Sequence, residues 1–179
     1  MTPQILFSLL IAFFSLTALH AQTLDETKSV VNFSVSNLGI NTVNGTFTGM
    51  KGVVKFDPAN PAQSRFETSV SAATIHTGNE ERDAHLKNED FFEVEKYPII
   101  RFQSQNIKKS GTGYEVSGTL TIKDVSQQVA IPFSVKKSGS ETTLTGNLKV
   151  NRKEYGLGSS YGSFMIGSEI KVQIVCVVR

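Results

Sequence analysis

The sequence predicts an all-β fold, a closed antiparallel barrel of about eight strands with one short helical connection. Two observations lead there. Apolar residues recur with a period of two through most of residues 30–178, so each strand offers one face to a dry interior and one to water. Turn-forming residues separate the runs at short intervals, which makes neighbours in sequence neighbours in a sheet. No second set of strands and no long helix stands ready to cover the apolar face, and closing the sheet on itself both covers that face and removes its edges. A barrel of this size is either filled by its own side chains or keeps room for one small ligand.

Taken in order, "VNFSV" puts Val31, Phe33 and Val35 on one face, and "FETSVSA" puts Phe66 and Val70 together. "IIRFQ" aligns Ile100 with Phe102, and "YEVSGTLTI" aligns Tyr114, Val116, Leu120 and Ile122. "VAIPFSV" gives Val129, Ile131, Phe133 and Val135; "TLTGNLKV" gives Leu144, Leu148 and Val150. The last run, "EIKVQIVCV", gives Ile170, Val172, Ile174 and Cys176. Turns are expected at "NG" (44–45), "DPANP" (57–61), "SGTG" (110–113) and "KSGS" (137–140). Gly118 and Gly146 sit in the apolar phase, where a missing side chain either leaves space or marks a bend; the residue type favours a bend.

The connection "GNEERDAHLKNEDFF" is the one extended segment without period two. Thr77 with Glu80 fits a capping box and Asn79 is an alternative cap. Glu81, His85 and Glu89 share a face of the short helix, whereas Asp83 and His85 point apart. Three roles fit: a solvated connection whose "FFEV" end packs across the barrel mouth, a rim touching a ligand, or a catalytic or metal site. No ligand spacing for a metal and no nucleophile elbow is present, so the spacing favours the first. "NRKEYGLGSSYGSF" likewise reads either as a flexible connection or as a mouth loop that brings Arg152 and Tyr155 to an anionic group, with the connection favoured.

Residues 5–19 form an uncharged apolar run followed by "HAQ", which reads as a secretory signal over residues 1–21, with cleavage after Ala21 favoured over a retained anchor and the domain at 22–179. The run is too short to favour a membrane span. A formal net charge of +2 with no basic block argues against nucleic acid as a partner. The single cysteine, Cys176, forms no internal disulfide and reads as a small buried apolar residue.

"RDAHLKNEDFFEVEKYPIIRF", followed by "VSGTLTIKDVSQQVAIPF" and "NRKEYGLG", resembles the YceI-like family of periplasmic or secreted polyisoprenoid-binding proteins. The resemblance begins near "VVNFSVSNLGINTVNGTF" and covers essentially all of 22–179. Its specific string falls on Arg82, Asp83, His85, Leu86, Asp90, Phe91, Phe92, Val94, Tyr97, Pro98, Ile100 and Phe102. The resemblance implies a lipocalin-like barrel with an elongated apolar cavity that carries or sequesters a lipid without chemistry on it, and it shifts Gly118 and Gly146 toward a cavity role. Two departures stand out: Lys28 and Asn37 occupy positions where the family commonly shows His, and the family's early tryptophan is absent, since the chain has none.

The expected function is therefore non-covalent binding, with carriage or storage of a polyisoprenoid or related long-chain lipid, in the periplasm or outside the cell. No cofactor, metal or catalytic residue is expected. The cavity wall is assigned to Phe33, Val35, Phe102, Val116, Gly118, Leu120, Ile122, Phe133, Gly146, Leu148 and Ile174. The mouth is assigned to Arg82, Asp83, His85, Arg152 and Tyr155. Transient membrane contact and a homodimer fit the same reading. The alternatives are a hydrolase or isomerase using Asp83, His85 and Arg82 at the mouth, and a secreted stress-response or interaction module with a filled barrel.

Overall fold

The computed structural model describes residues 22–179; the apolar run 5–19 and the cleavage point after Ala21 lie outside the described residues. Nine strands form one antiparallel sheet: β1 (Val30–Asn37), β2 (Asn41–Phe47), β3 (Lys51–Lys55), β4 (Arg65–Ser71), β5 (Ile99–Ser110), β6 (Gly113–Ile122), β7 (Val125–Ser138), β8 (Glu141–Asn151) and β9 (Ile166–Val178). The single α-helix among the described residues, α1 (Glu80–Lys87), lies between β4 and β5. Strands β3 to β9 follow one another as a meander, and the β1–β2 hairpin docks on β9, giving the order β2-β1-β9-β8-β7-β6-β5-β4-β3.

The sheet is strongly curled around one core to which β1 through β9 all contribute apolar side chains. The expectation of a closed barrel is met in part. Edge strands β2 and β3 are consecutive in sequence and joined by Thr48–Met50, yet no ladder between them is among the pairings of the described residues. Isolated contacts bridge the seam instead: Thr46 exchanges backbone hydrogen bonds with His76 at 2.9 and 3.0 Å.

Two of the strands come from a stretch in which a turn is expected. "NG" at 44–45 lies inside β2, and the chain reverses earlier, where Leu38 and Gly39 both take positive φ (54° and 69°). Gly45 is required for contact, since a Cβ there would collide with the ring of its cross-strand partner Phe33. β5 carries a bulge: Ser104 pairs with Gly118 and Asn106 with Ser117, leaving Gln105 unmatched. The extra residue shifts the phase of the strand, and Ile107 becomes one of the most buried side chains although it is out of step with Phe102. The β7–β8 ladder stops at Phe133↔Gly146, beside Pro132, which has no N–H to donate. Beyond it Gln127, Gln128, Val129, Ala130 and Pro132 face Asn147–Asn151 across an open groove of mixed polarity.

Asn79 caps α1, its side chain accepting from Arg82 N at 2.8 Å. The helix has no apolar stripe, and the following Phe91 and Phe92 fasten this connection to the core. At the other end Phe56, Phe66, Tyr114 and Phe133 pack edge-on and stacked, with Phe56 and Tyr114 centroids 4.8 Å apart, and fill the interior.

Candidate ligand-binding site

Between the aromatic plug and α1 the interior is not filled. A cavity of about 380 Å³ remains, lined almost wholly by apolar side chains from β1, β2, β4 to β9 and the helical connection, with Arg152 and the loop after it also reaching its wall. That volume lies within the roughly 300–1,000 Å³ of small-molecule sites. Of the residues expected in the wall, Phe33, Val35, Phe102, Leu120, Ile122, Leu148 and Ile174 line it. Val116, Gly118, Phe133 and Gly146 stand outside its wall. Val116 and Phe133 belong to the plugged half of the core. The two glycines permit close packing: a Cβ at Gly118 would strike the Gln103 carbonyl, and one at Gly146 would lie 2.9 Å from Ile131 Cγ2. They leave no vacant space.

The mouth is built from three segments tied to one another. His85 Nε2 and Tyr161 Oη are 3.2 Å apart, which joins α1 to the loop before β9, and Leu38 N donates to Met165 O at 3.1 Å, which joins that loop to the β1–β2 turn. Arg82, His85, Tyr161, Leu38 and Met165 all line the cavity here. The Tyr161 ring stacks on Phe91 at 5.5 Å, and His85 meets the Phe91 ring edge-on.

The mouth residues expected from the sequence divide into two kinds. Arg82 lines the cavity while its Nε and one Nη hold Thr77 Oγ1 and Thr77 O at 2.8 and 3.0 Å. Asp83 points away from the cavity. It is buried, accepting from Thr77 N at 2.8 Å and Thr77 Oγ1 at 2.6 Å, with His76 Nδ1 at 3.1 Å. Desolvation pushes its pKa up, but these donors outweigh that effect and hold it below the ordinary carboxylate value. No hydrogen bond or ion pair links Asp83 to His85 among the described residues, whose nearer carboxylate is Asp90 at 3.5 Å.

Arg152 is 1 % exposed and spends all its donors on backbone. Nε bonds Gly167 O at 3.1 Å, Nη1 bonds the carbonyls of Leu157 and Gly158, and Nη2 those of Tyr161 and Ile166. It shapes the loop 156–166 and has no N–H left for a head group. Tyr155 lies beneath that loop, 2 % exposed and outside the cavity wall, its pKa pushed up to about 12, chiefly by burial. Sequence patterning missed Phe47, Met50, Ile75, Leu86 and Phe91 as wall residues. All five lie in or beside segments without clean alternation, and the paired aromatics after α1 were the one available signal. Among the described residues no three His, Cys, Asp or Glu side chains converge as a metal site needs.

A match to the YceI-like domain runs over residues 22–178. The chain belongs to the YceI-like family. It is 30% identical to protein YceI of Escherichia coli over 142 residues, 74% of this chain and 72% of that one. A UPF0312 protein of Photorhabdus laumondii is 34% identical over 111 residues, 62% of this chain, and the match spans 58% of that relative's length. The fold agrees with the crystal structure of BcnA from Burkholderia cenocepacia, with a TM-score of 0.81 at 27% identity, over 87% of this chain and 99% of that one. It also agrees with a protein from Saccharophagus degradans described as a polyisoprenoid binding domain, with a TM-score of 0.69 at 18% identity, over 89% and 98% of the two chains. The second likeness is one of fold. In the terms of the YceI-like family, this chain presents a curled sheet with one end plugged, one apolar cavity, and a mouth held by α1 and the loop 156–166.

Proposed function

We propose that the protein binds a long apolar chain, a polyisoprenoid or related lipid, non-covalently in this cavity and carries or stores it in the periplasm or outside the cell. The carrying observation is the cavity itself, whose wall is almost wholly apolar, with Arg82 and His85 at its mouth. Each methylene withdrawn from water contributes about 0.8 kcal/mol, so a chain of roughly ten carbons binds usefully after ordering costs. The fold shared with a domain described as polyisoprenoid binding supports this ligand class, and the uncharged apolar run at 5–19 supports export. The polar end of the ligand meets Arg82 and His85.

The geometry argues against the catalytic alternative. Asp83 is committed to Thr77 and His76 and does not line the cavity, so it forms no acid–base pair with His85 beside a bound chain.

Solvent extraction of the purified protein followed by mass spectrometry is expected to release a long-chain lipid that incubation leaves unaltered. Phe102→Asp, which puts a charge on the cavity wall, is expected to abolish loading. His85→Ala is expected to weaken binding by no more than about tenfold, since one hydrogen bond contributes roughly 0.5–1.5 kcal/mol. A protein that binds no apolar probe, or that converts its lipid, overturns the reading.

A further inference from the structure

Four large apolar side chains stand in solvent together at the cavity mouth. Ile40 is 87% exposed, Phe164 73%, Met165 50% and Leu38 44%. Leu38 and Ile40 occupy the β1–β2 turn; Phe164 and Met165 occupy the loop before β9. The two loops are in contact, through Leu38 N to Met165 O at 3.1 Å and through Phe164, whose ring lies 3.2 Å from where a Cβ on Gly39 would be. Leu38 and Met165 also line the cavity, so the exposed tip and the binding site form one continuous apolar surface.

From this we infer that the tip is a membrane-docking surface that enters the edge of a lipid bilayer, where the ligand is taken up or delivered without crossing water. The inference rests on the lipid-binding reading above and adds the source of the ligand. Charge distribution selects a bilayer as the occupant. No Asp, Glu, Lys or Arg occurs in residues 29–50 or 155–168, the two stretches that carry the tip, although charged residues make up 19% of the chain. Hydrocarbon excludes charge at a cost of several kcal/mol per group in the bilayer interior, so this gap is what an inserting tip requires. A protein partner is ordinarily met by a packed apolar centre framed by a polar, partly charged rim. Here the side chains project from two uncharged loop tips, a wedge suited to a soft medium, while the charges of the third mouth segment stand on α1. Apolar burial at the acyl boundary then supplies the binding.

Ile40 and Phe164 do not line the cavity, which makes them clean sites for the test. Wild type and the double variant Ile40→Ser, Phe164→Ser are sedimented with sucrose-loaded vesicles of phosphatidylethanolamine and phosphatidylglycerol. Both are also titrated with a fluorescent geranylgeraniol added from dilute ethanol, without vesicles. The wild type is expected to sediment with vesicles and the double variant about tenfold less or lower, with unchanged affinity for the free probe. Equal sedimentation of the two proteins, or none by the wild type, overturns docking. So does a wild-type dimer in velocity sedimentation that the double substitution dissolves, since the tip then serves a second copy. Loss of free-probe affinity in the variant also overturns it, by assigning the tip to the ligand site. Vesicle binding that depends on the tip, in a wild type that takes up no probe, would uphold docking while removing the lipid-binding reading.

Discussion

Burying Arg152 without a carboxylate is tenable because its five guanidinium N–H groups donate to five backbone carbonyls. Replacing it by Met would leave those carbonyls facing an apolar side chain, and each orphaned acceptor costs about 1–3 kcal/mol before the loop relaxes. Arg152→Met is expected to lose about 3–5 kcal/mol in urea unfolding. Arg152→Lys should recover only part of this, since an ammonium offers three donors in a different geometry. Asp83 shows the opposite charge handled in the same way. With its folded pKa held below the ordinary carboxylate value, the unfolded chain binds the proton first as the solution is acidified. The contribution of Asp83 is therefore complete above the unfolded pKa and disappears as pH falls through the lower folded value. Urea midpoints followed from about pH 5 to about pH 2 should fall less steeply for Asp83→Asn than for wild type. The carboxylates of Asp25, Asp57, Glu67 and Glu141, also lowered, act equally in both proteins.

At the level of elements, Gly146 separates two explanations of a strand glycine. Because a side chain there would press on Ile131, a wall residue, and not itself enter the cavity, Gly146→Val is expected to destabilise by about 1–3 kcal/mol while changing affinity for an apolar probe less than about tenfold. Improved binding or loss of binding in a folded variant would return Gly146 to the cavity wall. The same strands show what alternation reveals. Where a strand is regular, as from Tyr114 to Ile122 or Ile170 to Cys176, the inward residues are legible from spacing alone. Where a bulge intervenes, as at Gln105, the period resets and Ile107 goes unseen. The β1–β2–β3 region was obscured for another reason. Asn-Gly is the strongest local hairpin signal, but at 44–45 the glycine answers a cross-strand ring, and the reversal happens at Leu38–Gly39. Arg152 and Tyr155 were conspicuous as polar residues, yet spacing does not tell a head-group contact from a residue that folds its own loop. That distinction depends on where five carbonyls lie.

Across the whole molecule, function is divided along the axis of the curled sheet, with aromatic rings packing one end and a cavity with an apolar lip at the other. The sheet that carries both is not uniformly stitched. Between β7 and β8 the ladder ends at Phe133↔Gly146, and this has a consequence for time as well as shape. In a strand, successive N–H groups point to opposite sides. From Gln127 to Ile131 one set bonds to β6, and the other set faces the groove with no ladder partner. Deuterium exchange should therefore alternate along this single strand, with slow amides interleaved with ones exchanging near the rate of an open chain. Uniform protection from Gln127 to Ile131 would show that the wall is sealed in solution. Alternating protection would mark a seam along which the wall can spread to accept ligands of different girth.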